Sequence, residues 1–547
     1  MFRQEYRVCF CFRRVFKWTI AEPPEDVKDL FNHCSRNGLM TMDEFRTFLG
    51  DNQGEEKATI EDVQDIYASL KNGIWPRRGL PLSAFFRYLF GDLNLPLPPP
   101  KVYQDMNAPL AHYFLFTGHN SYLTGNQLGS DSSIIPIIRA LKKGVRVIEL
   151  DLWPNSSKDG IDVYHGVTLT SPVELSKCLQ AIKENAFLAS EYPVIITLED
   201  HLDAKLQAKV AEMVLQTFGD MLFFPESKFL HEFPSPEFLK GRVLISDKPP
   251  KELLETMRAK KVVQKTEFDE NEDEEKATPE YESLIAIRAW KTKGGHDGLL
   301  DIDPIKVRRL SLSETQLENA VKSHGTDVVR FTQRNLLRVY PKGTRISSSN
   351  YNPLPGWTHG AQMVAVNMQG YDKYLWITQG MFRGNGGCGY VKKPELLLNV
   401  GPNNEVFDPR SWRPIKTILK VKVFMGDGWH LDFPRTYFDL FSPPDFFVKL
   451  HIAGVPADEA KEQTRPIEDE WFPVWKEEFK FRLTVPELAI LRIVVREFDM
   501  DGRHGFGGQT CLPVSELRTG IRAVPLHNKK GEKYNSVKLL IRFQFVE

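Results

Sequence analysis

The chain has 547 residues, 41% of them apolar and 26% charged, with a formal net charge of −1. That length predicts three or four domains of ordinary globular composition. A balanced charge excludes general attraction to nucleic acid, and no apolar run is long enough to cross a bilayer.

The N-terminal stretch MFRQEYRVCFCFRRVFKW breaks its apolar block with Arg13 and Arg14 and is not a secretory signal. Phe2 excludes myristoylation, which needs glycine. The stretch reads as a basic terminus, with acylation at Cys9 or Cys11 the alternative. The six cysteines, Cys9, Cys11, Cys34, Cys178, Cys388 and Cys511, fit no zinc spacing and read as reduced thiols of a cytosolic protein.

Residues 21–95 predict helices. The run at 23–35 opens with two prolines and two acids, as a first helical turn favours. At 58–71, Thr59 and Asp62 stand at capping-box spacing. The region is EF-hand-like, but 35–45 lacks the alternating acids that surround calcium, so no ion is expected there. The proline run at 95–101 marks a boundary.

From 104 to 250, apolar runs alternate with amphipathic helical stretches at 134–144 and 171–187, which predicts a parallel sheet. The runs are HYFLFTGHNSYLTG, VRVIELDLW, DVYHG, PVIITLEDH and RVLISDK. Residues 251–305 read as a linker. Within it, 267–275 carries seven acids in nine residues, too much like charge to bury a core. The pattern resumes over 306–412 with LLRVYPKG, QMVAVNMQG and CGYVKKP. Five runs plus three give the eight strands of a split (β/α)8 barrel. Residues 415–547 switch to closely spaced strands, as in an antiparallel β-sandwich.

The polar residues gather at the ends of the apolar runs. Glu149 and Asp151 are two apart and therefore share one face of a strand. Asn120, Glu149, Asp151 and Glu199 offer hard oxygen ligands, which suit calcium or magnesium; mixed amide and carboxylate donors at uneven separations favour calcium. His119 and His165 then remain for acid–base work. Two imidazoles beside a divalent cation suit phosphodiester chemistry. Lys248, Ser311, Arg338 and Tyr340 end or follow apolar runs, where cations could hold phosphate. The glycine-rich segment around Cys388 lacks the ending of a P-loop and reads as a tight turn.

The motifs FTGHNSYLTGNQL, VIELDLW, YHGVTLTS, YPVIITLEDH, LSETQ, RVYPKGTRISSSNYNP and GNGGCGYVKKP resemble the eukaryotic phosphoinositide-specific phospholipase C family. The arrangement is similar to its plant branch: EF-hand-like helices, X and Y barrel halves and a C2 domain. The resemblance implies calcium-dependent cleavage of phosphatidylinositol 4,5-bisphosphate, or of the monophosphate, to diacylglycerol and an inositol phosphate in lipid signalling. It implies that His119 steadies the pentacovalent phosphorus, that His165 protonates the leaving diacylglycerol, and that Glu149 is also the base for the inositol 2-hydroxyl. It places Lys248, Ser311, Arg338 and Tyr340 around the ring and its phosphates, and Leu128, Val167 and Leu169 on a membrane-facing rim. It suggests Asp427, Asp445, Asp499 and Asp501 as C2 calcium ligands. Two departures stand out: Ser246 replaces a phosphate-binding lysine of animal members, and Thr344 replaces a rim tryptophan. The expected protein is a cytosolic monomer that visits the plasma membrane. The alternatives are a silent lipid- and calcium-binding scaffold, which would have no need of both histidines, and a metal-dependent glycerophosphodiesterase.

Overall fold

The computed structural model describes residues 2–7, 13–18, 22–70, 79–166, 168–227, 229–248, 278–289, 300, 302–499, 502 and 504–547. The chain divides into two compact units, residues 100–411 and residues 1–99 together with 412–547.

The first unit is a parallel barrel. Its strands are β1 (Thr117–Gly118), β2 (Val147–Pro154), β3 (Val194–Asp200), β4 (Val243–Lys248), β5 (Ile285–Ile287), β6 (Arg309–Ser313), β7 (Leu336–Tyr340) and β8 (Met363–Val366). They lie side by side in chain order, β8 pairs back onto β1, and a parallel bridge from Ala289 to Arg309 joins the β5 and β6 edges. Helices Ile134–Lys142, Leu175–Asn185 and Ala204–Phe218 connect the early strands, and Glu314–Thr332 follows β6. Their starts are fixed locally. Ser133 and Asp203 accept hydrogen bonds from Ile135 N–H and Leu206 N–H, and Ser313 forms a capping box with Gln316.

The expected total of eight strands is right, but two of the eight are different ones. The DVYHG run does not enter the barrel wall. β2 outlasts the wall, and its last three residues pair antiparallel with Ile161–Val163 through a turn in which Asn155 N–H donates to Gly160 C=O. This hairpin is what lifts His165 towards the mouth. The CGYVKKP run also lies outside: Tyr390–Lys392 pairs antiparallel with Tyr113–Leu115. Their places are taken by β6 and by β5, which falls inside the segment expected to be linker. The acidic run 267–275 lies outside the described residues.

Alternation along the strands layers the barrel interior. Val147, Ile195, Leu244, Leu336 and Met363 belong to one apolar cluster that forms the floor. Two residues further along come Glu149, Thr197, Ser246 and Arg338, all buried. Register sets Thr197 level with both Glu149 and Ser246. Asp151 and Glu199 form the next level, paired across β2 and β3. Each strand thus runs from apolar floor to polar mouth, as barrels do towards their C-terminal face.

Among the described residues, the second unit joins the helices Glu25–Cys34, Met42–Gln53, Ile60–Leu70 and Leu82–Leu89 to an eight-stranded antiparallel sheet. Thr59 and Asp62 form the expected cap, with Thr59 N–H donating to Asp62 Oδ2 at 2.8 Å and Asp62 N–H to Thr59 Oγ1 at 3.1 Å. The two-residue strands Leu39–Met40 and Leu80–Pro81 pair antiparallel between the helices, the short extended link expected of an EF-hand-like pair. Phe31, Phe45, Phe48 and Phe85 pack into one core with Phe424, Ile521 and Leu540 of the sheet. The five expected sheet strands are present, together with Ala460–Gln463, Phe506–Pro513 and Gly520–His527. Among the described residues, no helix is long and apolar enough to cross a membrane.

Candidate active site

Glu149, Asp151 and Glu199 offer carboxylate oxygens that all lie within 4.8 Å of one another, and all three are buried. Three carboxylates so close and so buried could hold a cation. Asn120 follows β1 in a left-handed backbone conformation (φ +43°), which asparagine tolerates better than most residues. Its backbone N–H donates to Glu149 Oε2 at 3.3 Å and its side-chain Nδ2 to Gln127 Oε1 at 3.1 Å. Its Oδ1 is buried without a hydrogen-bonding partner. A buried amide oxygen left unsatisfied on a residue whose N–H bonds Glu149 suits one more ligand of a hard divalent cation. Burial, with Asp151 and then Glu149 and Glu199 nearby, pushes the Tyr122 phenol well above its ordinary value.

Both histidines are oriented through Nδ1. His119 Nδ1 lies 3.0 Å from Asn367 Oδ1, and His165 Nδ1 lies 2.7 Å from the Gln127 carbonyl oxygen. Each acceptor takes an N–H, so in the neutral ring Nε2 carries the lone pair. Thr168 and Thr170 hydroxyls donate to the His165 carbonyl and hold the turn after the hairpin.

The middle layer is cationic. Arg338 Nη2 donates to Glu149 Oε2 at 2.6 Å, with both side chains buried. Its Nε and Nη1, and the hydroxyls of Ser311 and Thr197, are buried without hydrogen-bonding partners. The Tyr340 ring lies 5.5 Å from the Arg338 guanidinium carbon. Lys248 pairs with Glu199 through the backbone; its side chain lies outside the described part.

Sequence reasoning missed Arg309. Fully buried, it donates from Nη1 to Ser246 Oγ at 2.5 Å and from Nη2 to the Asp247 carbonyl. Burial lowers its guanidinium to about 10, opposed by Asp247, so it stays charged at neutral pH. Its spacing of two from Ser311 was the available signal, masked by Arg308 beside it. Also missed were Gln127 and Asn367, because amides carry no motif, and His201, which stacks on Trp153 at 3.7 Å with Nε2 3.5 Å from Glu199 Oε1.

At the rim, Leu169 is 90% exposed and Leu128 47%. They border an open cleft of about 700 Å3 with Thr344 and Ile346. Ile346, 47% exposed, is a rim residue the sequence did not single out. Arg345 makes a two-pronged bond to Glu314, Nε to Oε1 and Nη2 to Oε2 at 2.7 Å each, which anchors the loop that carries it. Val167 lies outside the described residues.

In the sheet unit, Asp445 Oδ1 accepts from Asp469 N–H at 2.6 Å. Burial raises its carboxyl, and Asp469, Glu468 and Asp439 add to the shift. Asp499 N–H donates to His504 Nδ1 at 3.1 Å. Asp427 sits beside His430, with Oδ1 3.7 Å from Nδ1. Asp501 is outside the described residues. Among the described residues, Asp427, Asp445 and Asp499 do not form a close three-carboxylate group like the one in the barrel. Glu497, not singled out from sequence, is buried among these acids and pushed up to about 7 by burial and by Asp499.

Comparison with known proteins matches three family models in succession. These are the phosphatidylinositol-specific phospholipase C X domain over 106–249, its Y domain over 305–396, and the C2 domain over 417–531. Phosphoinositide phospholipase C 2 of Arabidopsis thaliana is 56% identical over 583 aligned residues that cover 100% of both chains. The 1-phosphatidylinositol 4,5-bisphosphate phosphodiesterase delta-3-A of Danio rerio is 34% identical, covering 94% of this chain and 68% of its own. The crystal structure of L. pealei PLC21 superposes with a TM-score of 0.77 at 26% identity, covering 95% of this chain and 68% of that one.

Proposed function

The chain belongs to the plant-type phosphoinositide-specific phospholipases C, and we propose that this enzyme cleaves phosphatidylinositol 4,5-bisphosphate, or the monophosphate, in a calcium-dependent reaction at the mouth of its barrel. The observation that carries this reading is the buried group Glu149, Asp151 and Glu199 with the orphaned Asn120 Oδ1 beside it. Four hard oxygens with no thiol among them suit calcium. Calcium held there would neutralise phosphate charge and acidify the attacking hydroxyl.

The inositol 2-hydroxyl attacks phosphorus and gives its proton to Glu149. His119, held by Asn367 and protonated at both ring nitrogens, donates from Nε2–H to a phosphoryl oxygen and steadies the charge that grows there. His165, in its doubly protonated form, donates the Nε2 proton to the diacylglycerol oxygen as the phosphorus–oxygen bond breaks. The product is a cyclic 1,2-phosphodiester. Water opens it in a second step with the proton roles reversed, giving the inositol phosphate.

Headgroup choice rests on the middle layer. Arg338 Nε and Nη1 and the Ser311 hydroxyl are buried donors awaiting acceptors, which supports a ring phosphate as their partner. Ser246 lacks the charge of the lysine it replaces, and Arg309, bonded to it, returns a positive charge to that place. Lys248 completes the set. Delivery to the membrane falls to the rim leucines, Ile346 and the C2 domain, with Asp427, Asp445, Asp499 and Asp501 as weak calcium ligands. The enzyme works as a monomer at the cytosolic face of the plasma membrane.

The test is hydrolysis of vesicles that carry phosphatidylinositol, its 4-phosphate or its 4,5-bisphosphate. The reading predicts faster release of water-soluble inositol phosphate from the phosphorylated lipids. Equal rates on all three would reject the assignment of the middle layer.

A further inference from the structure

Gln127 ties together Asn120, Asn367, His165 and the rim loop through its side chain and its backbone. Its Oε1 accepts from Asn120 Nδ2 at 3.1 Å, and its Nε2 donates to Asn367 Oδ1 at 3.2 Å and to Ser348 Oγ at 2.9 Å. Its carbonyl oxygen accepts from His165 Nδ1 at 2.7 Å, and its N–H donates to the Ile346 carbonyl of the rim at 2.9 Å. The residue is 7% exposed, so these bonds are shielded from water.

The bonds form a chain in which each partner dictates the next. The Ser349 carbonyl can only accept, so the Asn367 group that faces it at 3.3 Å is Nδ2. Asn367 therefore turns Oδ1 towards His119 and Gln127. An oxygen there requires a donor on each, which fixes His119 as Nδ1–H and turns Gln127 Nε2 inward. Ser348 Oγ agrees: it spends its proton on the Gly125 carbonyl at 2.8 Å and accepts from Gln127. Gln127 then presents Oε1 to Asn120, which must answer with Nδ2. Asn120 Oδ1 is left as the atom without a partner.

We infer that Gln127 is a positioning residue: it carries the orientation that Asn367 takes from the Ser349 carbonyl across to Asn120, and so sets the turn of Asn120 that offers Oδ1 to the cation. A backbone carbonyl on the rim loop thus fixes, through three amides, which atom of Asn120 is left to meet a ligand. The inference rests on the calcium reading of the site, but its first readouts need no turnover, so the two fail separately.

Two variants separate the arms. Gln127→Met keeps the length of the side chain and removes both. Gln127→Glu keeps an acceptor for Asn120 and loses the donor to Asn367 and Ser348. Proton–nitrogen NMR of histidine-labelled protein without calcium reads the His119 tautomer, and calorimetric calcium titration reads the Asn120 arm. Wild type should show His119 as Nδ1–H. Gln127→Met should keep that signature, because the Ser349 carbonyl still holds Asn367, while lowering kcat by about 10- to 100-fold with little change in KM. Calcium affinity should fall about tenfold in Gln127→Met and stay near wild type in Gln127→Glu. A calcium affinity in Gln127→Glu about tenfold below wild type would overturn the inference, even if Gln127→Met fails to fold. So would a folded Gln127→Met with wild-type calcium affinity.

Discussion

Arg338 and Glu149 face each other across the barrel interior, Nη2 2.6 Å from Oε2, with neither side chain reaching water. Glu149 thus serves as both a counter-ion of Arg338 and a member of the carboxylate group. Removing one partner of a buried pair strands the other charge at a cost of about 3–5 kcal/mol. Arg338→Met should therefore destabilise the calcium-free enzyme by about that amount. Calcium should restore much of the loss, because the cation supplies the missing positive charge. Thermal melts with and without calcium check this; an identical loss in both would mean that Arg338 supports the barrel apart from Glu149.

The carboxylates are not interchangeable with amides if they hold a cation. Glu199→Gln keeps shape and removes one negative charge. It should raise the calcium needed for half-maximal hydrolysis by tenfold or more, a cost of at least about 1.4 kcal/mol. Activity against free calcium gives the value, and an unshifted curve would remove Glu199 from the ligand set.

His165 and His119 should differ in one respect. Replacing either with alanine removes a proton-transferring or charge-stabilising group, a loss of about a hundred- to ten-thousand-fold. A substrate with a more acidic leaving group needs no protonation on departure. It should recover most of the rate in His165→Ala and little in His119→Ala. Equal recovery in both would reverse or merge the two roles.

How much of this was legible beforehand depended on what kind of residue carried it. The spacing of Glu149 and Asp151, and the placing of Glu199 at a run end, marked residues that the fold does bring together as a buried acidic group. Strand identity was harder. DVYHG has the composition of a barrel strand, but β2 is long enough to pair with it as a hairpin, and sequence does not report where a wall ends. β5 has three residues and follows an acidic run, so no periodicity could develop. Arg309 hid in an Arg-Arg pair that reads as solvated surface. Gln127 and Asn367 act only through one another, and that dependence exists in space alone.

The sheet unit carries a pH signature of its own. Glu497 is pushed up to about 7 by burial, then by Asp499, with Asp445 and Asp439 adding to it, against an ordinary value of 4.5. A carboxyl raised in the fold favours the folded state below about pH 4.5, and that contribution is lost as pH climbs through about 7. Glu497→Gln should flatten the fall in melting temperature across that window and raise it above wild type at pH 8. Parallel wild-type and variant curves would show that the buried carboxyl is already neutralised by another partner.

Lys248 should matter only where ring phosphates exist. Lys248→Ala should slow hydrolysis of the bisphosphorylated lipid and spare unphosphorylated phosphatidylinositol. Equal slowing on both would assign Lys248 to the fold or to the common phosphodiester.

The most direct test of the whole account is release of water-soluble inositol phosphate from phosphatidylinositol 4,5-bisphosphate vesicles across free calcium, with His119→Ala beside wild type. The account predicts no release without calcium, a saturating rise for wild type, and a near-flat line for His119→Ala at every calcium level. Release by wild type in the presence of chelator, or equal release by the two proteins, would contradict it.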